Sequence, residues 1–238
     1  MIDDNIIMKE VNTIKERNTS IETVKIGNEK FYKIANSDKL RPFFMSIVSN
    51  SNHWMFISSN GGLTAGRKDS SYALFPYYTD DKITEFAHVT GSKTIIRVHT
   101  KEGCKLWEPF SERYLGVYKV VRNLYKNSCG NKVIFEEVNQ DLRLTFRYQW
   151  SSSDQYGFVK KSIITNNADQ EVKITVVDGI QNIMPYGVDT TLQAMSSNLV
   201  DAYKKNELEP AIGLGIYALS AVIVDRAEPS EALKATTV

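Results

Sequence analysis

Between Ser58 and Ile83 the sequence SSNGGLTAGRKDSSYALFPYYTDDKI gathers in one run the side chains that could handle a polar ligand. Arg67 offers a planar fork of donors to hydroxyl, carboxylate or phosphate oxygens, with Asp69 two residues on. Tyr72, Phe75, Tyr77 and Tyr78 surround Pro76, and tyrosine's apolar face with a polar tip suits a sugar ring or a second protein surface. Asp80-Asp81 raises the chemistry of glycoside cleavage, which needs two carboxyl groups about 5 Å or about 6.5–9.5 Å apart. Adjacent residues point in different directions, so this pair does not make that constellation by itself. Glu85, Glu108, Glu136 and Glu137 are further carboxylates without a distinguishing context. Each feature also has a plain structural reading: Arg67 pairing locally with Asp69 or Asp80, and Phe75 with one tyrosine filling a core.

Asn60-Gly61-Gly62 reads as a hairpin-type turn, and Gly66 lets the backbone pass close to a neighbour. The glycine spacing fits neither the dinucleotide fingerprint nor a phosphate loop, since no GK[ST] follows and no βαβ unit surrounds it. A second aromatic and acidic block, Trp107-Glu108-Pro109-Phe110, could form a binding lip or pack the edge of a sandwich. No GxSxG occurs, so acyl transfer is unsupported. His53, His88 and His99 form no HxH or HExxH, and Cys104 and Cys129 lack zinc spacing and read as reduced thiols. The expectation is no metal, no cofactor and no catalytic residue. A sugar epimerase would need an acid/base pair such as His88 or His99 with Glu136, and no motif ties these together.

The elements that must position these residues are strands. Short β-branched and aromatic runs with period two, broken by Gly, Asn, Asp and Ser, predict strands at 30–34, 43–46, 54–58, 94–100, 115–125, 132–139, 142–150, 157–166 and 171–180. Residues 160–178 read as a hairpin joined by Asn166 to Gln170. A helix over about 189–206, capped by Asp189 or Thr190, should place Leu192, Met195, Leu199 and Tyr203 on one face. Ala211 to Val224, the most apolar stretch, is too short to span a bilayer and predicts a buried pair of strands. The fold class is therefore mainly β: one large antiparallel β-sandwich domain over 1–238 with one peripheral helix. EALKATTV stops inside a strand pattern, which predicts an N-terminal piece of a longer protein. With 29 basic against 28 acidic side chains there is no global field to attract nucleic acid or an anionic membrane. The mixed charge of MIDDNIIMKE predicts a cytoplasmic chain.

GGLTAGRKD, the LWEP block and SIITNNADQEVKITVVDGIQNIMP, in that order, resemble the N-terminal β-sandwich of the cellobiose phosphorylase type of inverting glycoside phosphorylases (family 94) and its large relatives. The likeness is spread over roughly Lys30 to Pro185. It implies a galactose mutarotase-like supersandwich, followed by a helical linker and an (α/α)6 barrel that carries the catalytic acid and phosphate site. Gly61, Gly62 and Arg67 match a glycine pair and an arginine of the family's loop, and Trp107 and Pro109 match its aromatic-proline block. The implied role is a non-catalytic carbohydrate-binding or cleft-shaping domain. Gly61, Gly62, Arg67, Asp69, Tyr77, Tyr78, Asp80, Asp81, Trp107 and Glu108 are then the candidate ligand contacts, on a long loop facing the barrel. Its partners would be an oligosaccharide, the barrel and a second copy of the chain. The alternatives are a stand-alone mutarotase-like epimerase and a structural interface module.

Overall fold

The computed structural model describes residues 19–221 and 235–238. Alternation of apolar and polar residues puts one face of each strand against a partner layer, and the strands pair accordingly. Six of them form one antiparallel sheet in the order β1 (Ser20–Ile26), β2 (Glu29–Ala35), β8 (Val120–Asn127), β9 (Lys132–Asn139), β10 (Leu144–Ser153), β11 (Gly157–Asn166). Opposite lie two three-stranded sheets: β3 (Phe44–Ile47), β4 (His53–Ser58), β5 (Leu63–Arg67), and β12 (Lys173–Gln181), β6 (Gly91–Thr100), β7 (Gly103–Trp107).

Between the layers sits one continuous core. Leu144, Phe146, Tyr148 and Trp150 of β10, with Val133, Phe135 and Leu124, meet Met55, Ile57, Leu63, Ala65, Ile96, Val98 and Trp107. Burying each large apolar side chain is worth about 1.5–3 kcal/mol, so this face fixes the register of the strands that supply it. The mainly β sandwich expected from the strand pattern is what forms. A further small sheet of β13 (Lys204–Glu209), β14 (Leu214–Leu219) and β15 (Thr236–Thr237) completes the described chain with three short helices, α1 (Asp80–Glu85), α2 (Thr190–Met195) and α3 (Ser197–Tyr203).

Four expectations are corrected. The strands at 157–166 and 171–180 do not form a hairpin: β11 pairs with β10, and β12 pairs with β6 in the facing layer. Alternation identifies a strand but not its partner. Across the gap Lys160 Nζ meets Asp178 at 2.6 Å, and Thr94 Oγ1 donates to the same carboxylate at 2.6 Å.

The helix over 189–206 is two helices broken at Ser196, whose φ of −140° takes it out of helical backbone. The break splits the one-face stripe. Met195 is 82% exposed and Leu199 and Tyr203 are also exposed, while Val200 is buried, with Leu192 packing against Met184 and Val188. The Asp189 cap does form, its Oδ1 accepting from Leu192 N at 2.8 Å. The predicted tail of the helix, from Lys204 on, is the first residues of β13.

The apolar stretch from Ala211 contributes a single half-buried strand, β14, paired with the exposed β13; its predicted continuation from 222 to 224 lies outside the described residues.

Ser58 to Ile83 is not a long projecting loop. It is a β4–β5 hairpin, a buried strand, a 3-10 turn at Ser70–Tyr72 and helix α1. Its glycines serve close packing. A Cβ on Gly62 would stand 2.0 Å from Ile83 O, and one on Gly66 would stand 2.5 Å from the Trp54 ring and 2.7 Å from Tyr72 O.

Gly62→Ala must therefore push backbone against backbone. It should cost about 1–3 kcal/mol, read as a lower urea midpoint at unchanged slope. Asp178 yields a pH prediction. Burial raises its carboxyl, but the Lys160 and Thr94 hydrogen bonds and the Lys160 charge outweigh that and hold it below its ordinary value. A carboxyl depressed in the folded state stabilises fully above the unfolded value of about 3.9, and the gain is lost as pH falls through the folded value. Thermal midpoints should thus place Asp178→Asn below the parent at neutral pH, with the gap closing below about pH 4.

Candidate functional site

A cavity of about 540 Å³ opens against the core face of β8, β9 and β10, which supply Arg122, Phe135, Phe146 and Tyr148. The start of β6 adds Lys93 and Thr94, and the segment after β7 adds Glu108, Phe110 and Arg113. The β4–β5 turn brings Asn60 and Gly61, and the end of α1 and its following turn bring Glu85 and His88.

Phe110 forms the floor in a costly conformation. Its φ of +64° lies in the left-handed region, worth about 1–3 kcal/mol of strain for a residue with a bulky side chain. Several contacts hold it there. Its N–H donates to Glu137 Oε2 at 2.7 Å, and its ring meets Tyr148 edge to face at 5.3 Å and Phe135 and Phe146 at 6.3 Å. The Arg122 guanidinium lies 5.9 Å from the ring centre.

Glu137 is the buried hub of this arrangement, only 2% exposed. It accepts from Trp107 Nε1 at 2.7 Å, from Phe110 N at 2.7 Å and from Arg122 Nε at 2.8 Å, so three donors from separate segments satisfy its buried oxygens. On the wall, buried Glu108 pairs with Lys93.

Burial pushes the Tyr148 phenol well above its ordinary range, so it remains a neutral hydroxyl. Tyr148 lines the cavity, and among the described residues its hydroxyl makes no hydrogen bond. Gly61 makes room for it. That residue has φ +95°, and a Cβ there would come within 2.7 Å of the Tyr148 oxygen.

The ten residues singled out from sequence are dispersed. Gly61 and Glu108 line the cavity, and Trp107 lies in the core behind it as a donor to Glu137. Gly62 packs beneath α1. Asp80 and Asp81 open that helix. Arg67 is exposed opposite His53, whose ring is held below its ordinary value by partial burial and by the Arg67 charge. Asp69 accepts from Ser71 N at 3.0 Å and caps the 3-10 turn. Tyr77 and Tyr78 belong to a second cavity of about 620 Å³ with Lys82, Gln193 and Asp201. There the Tyr77 N–H donates to Gln193 Oε1 at 2.9 Å, Tyr78 stacks on Phe86 at 4.7 Å, and partial burial raises the Tyr78 phenol.

Lys93, Arg122 and Tyr148 escaped the sequence reading, and Glu137 was noted there without a role. The usable signal was an acid and a base standing in adjoining apolar strands, NLYKN preceded by Arg122 and KVIFEEVN carrying Glu137. The two residues are register partners. The histidine–Glu136 pair is not assembled. Glu136 accepts from Asn123 Nδ2 at 2.7 Å and Tyr125 OH at 2.8 Å and pairs with Arg147. His88 lines the cavity, and His99 bonds Thr175 and Cys104. Among the described residues no group of His, Cys, Asp and Glu could hold a metal ion, and no helix is long and apolar enough to cross a membrane.

Glu137→Gln should destabilise the protein by about 3–5 kcal/mol, since it leaves Arg122 facing a neutral group inside the core; urea unfolding followed by tryptophan fluorescence measures it. No family model matches the chain, and no curated protein matches it.

Proposed function

We propose that this chain is a non-catalytic, carbohydrate-binding and cleft-shaping β-sandwich of the galactose mutarotase-like supersandwich type. In this reading it works within a larger carbohydrate-active enzyme of the glycoside phosphorylase or hydrolase kind, beside an (α/α)6 barrel, and a second copy of the chain is a further partner. The observation that carries the reading is the cavity's composition: an aromatic floor of Phe110, Phe146 and Tyr148 below a wall of Lys93, Glu108 and Arg113. A sugar ring has apolar C–H faces and a rim of hydroxyls, and aromatic surface with a few convergent polar groups meets both requirements.

Binding is favoured over catalysis by the condition of the buried carboxylates. Glu137 is tied to Arg122, Trp107 and Phe110, and Glu108 to Lys93, so both are engaged in structural contacts. The epimerase alternative lacks its histidine–Glu136 pair. Arg67, Tyr77 and Tyr78 lie outside this cavity and are not among its ligand contacts.

The test is a titration of the chain with mono- and disaccharides followed by NMR shifts. Wild type should shift at cavity residues. Tyr148→Phe should weaken binding about fivefold, the value of one hydrogen bond of about 1 kcal/mol, and Arg67→Ala should change nothing. A flat titration across the panel, or binding indifferent to Tyr148→Phe, would overturn the reading.

A further inference from the structure

On the outer face of the β12–β6–β7 sheet, far from any use in the cavity, a thiol, an imidazole, a hydroxyl and a guanidinium are drawn together by strand register. Cys104 stands opposite His99, and Thr175 stands opposite Arg97. Cys104 Sγ lies 3.3 Å from His99 Nδ1, His99 Nε2 lies 2.9 Å from Thr175 Oγ1, and Arg97 Nη2 donates to Sγ at 3.8 Å. The thiol is exposed.

We propose that Cys104 is a reactive thiol that forms a mixed disulfide with an anionic low-molecular-weight disulfide. His99 takes its proton, and Arg97 stabilises the sulfur anion and the approaching carboxylates. The parts are those of an activated nucleophile: nucleophile, base, and a third group orienting the base. An imidazolium donates from both ring nitrogens, so the bonds to sulfur and to Thr175 both survive proton transfer.

The sulfur anion then attacks one sulfur of RS–SR. The S–S bond breaks as Cys104 Sγ–SR forms, and the departing RS⁻ takes the proton back from His99. The balance is Cys104–SH plus RSSR giving Cys104–S–SR plus RSH, with the Cys104 sulfur oxidised and the leaving sulfur reduced. Anion preference follows from register: Arg97, His99, Lys173, Thr175, Cys104 and Leu106 share adjoining positions that include two fixed cations and no carboxylate.

The full chain is incubated with oxidised glutathione or with the cationic disulfide cystamine, and modification of each cysteine is timed by peptide mass spectrometry. Cys129, exposed in the β8–β9 turn, is the internal reference. Glutathione disulfide should modify Cys104 about tenfold faster than Cys129, a modest share of what a positioned base can supply. His99→Gln should remove most of that advantage, Thr175→Val part of it, and cystamine should show a smaller one. Equal rates at the two cysteines, or a Cys104 advantage unchanged in both variants, would overturn the assignment. An equal advantage with cystamine would overturn the preference for anions.

Discussion

The buried Glu137 carboxylate is the constraint on which the rest of the molecule depends. A charge inside an apolar core is tolerated only when donors surround it, and here they come from separate parts of the fold. Trp107 ends β7 in one layer, Arg122 belongs to β8 in the other, and Phe110 comes from the segment that leaves β7. One anion thus ties both layers of the sandwich and the cavity floor to a single position. The strained backbone of Phe110 persists because the same oxygen that receives its N–H also receives Arg122.

Much of the architecture was legible in the chain because strand alternation is local. The predicted spans 132–139 and 157–166 match β9 and β11 to the residue. What was not legible is nonlocal. Partner choice placed β11 and β12 in facing layers, and a single break at Ser196 broke up the one-face stripe, burying Val200 and leaving Leu199 exposed. Propensity carries neither fact, since both are decided by what the rest of the chain offers for burial.

The candidate site was less readable for the same reason. The run from Ser58 to Ile83 drew attention by its residue types, yet folding sends Gly61 to one cavity, Tyr77 and Tyr78 to another, and Arg67 to open surface. Density of functional types along a chain measures neighbourhood in sequence, whereas a site is neighbourhood in space. The cavity joins core-facing strand residues, Arg122, Phe135, Phe146 and Tyr148, to connecting segments far apart in sequence, and the strand residues read as packing until a cation and an anion are seen to share a rung.

The separation of partners along the chain also sets how the protein can reach this structure. The β8–β11 meander closes through short turns and can form early. Sheet completion cannot: Asn36 N bonds Asn123 Oδ1 across 87 residues, and Thr94 bonds Asp178 across 84. Each such contact requires a long loop to close before any burial repays the lost chain entropy. The meander is then the natural nucleus, with its apolar face exposed until β3 to β7 and β12 arrive. The order in which the layers can close is thus written in chain separation: neighbours in the meander are near in sequence, and the contacts that complete the sheets are far apart.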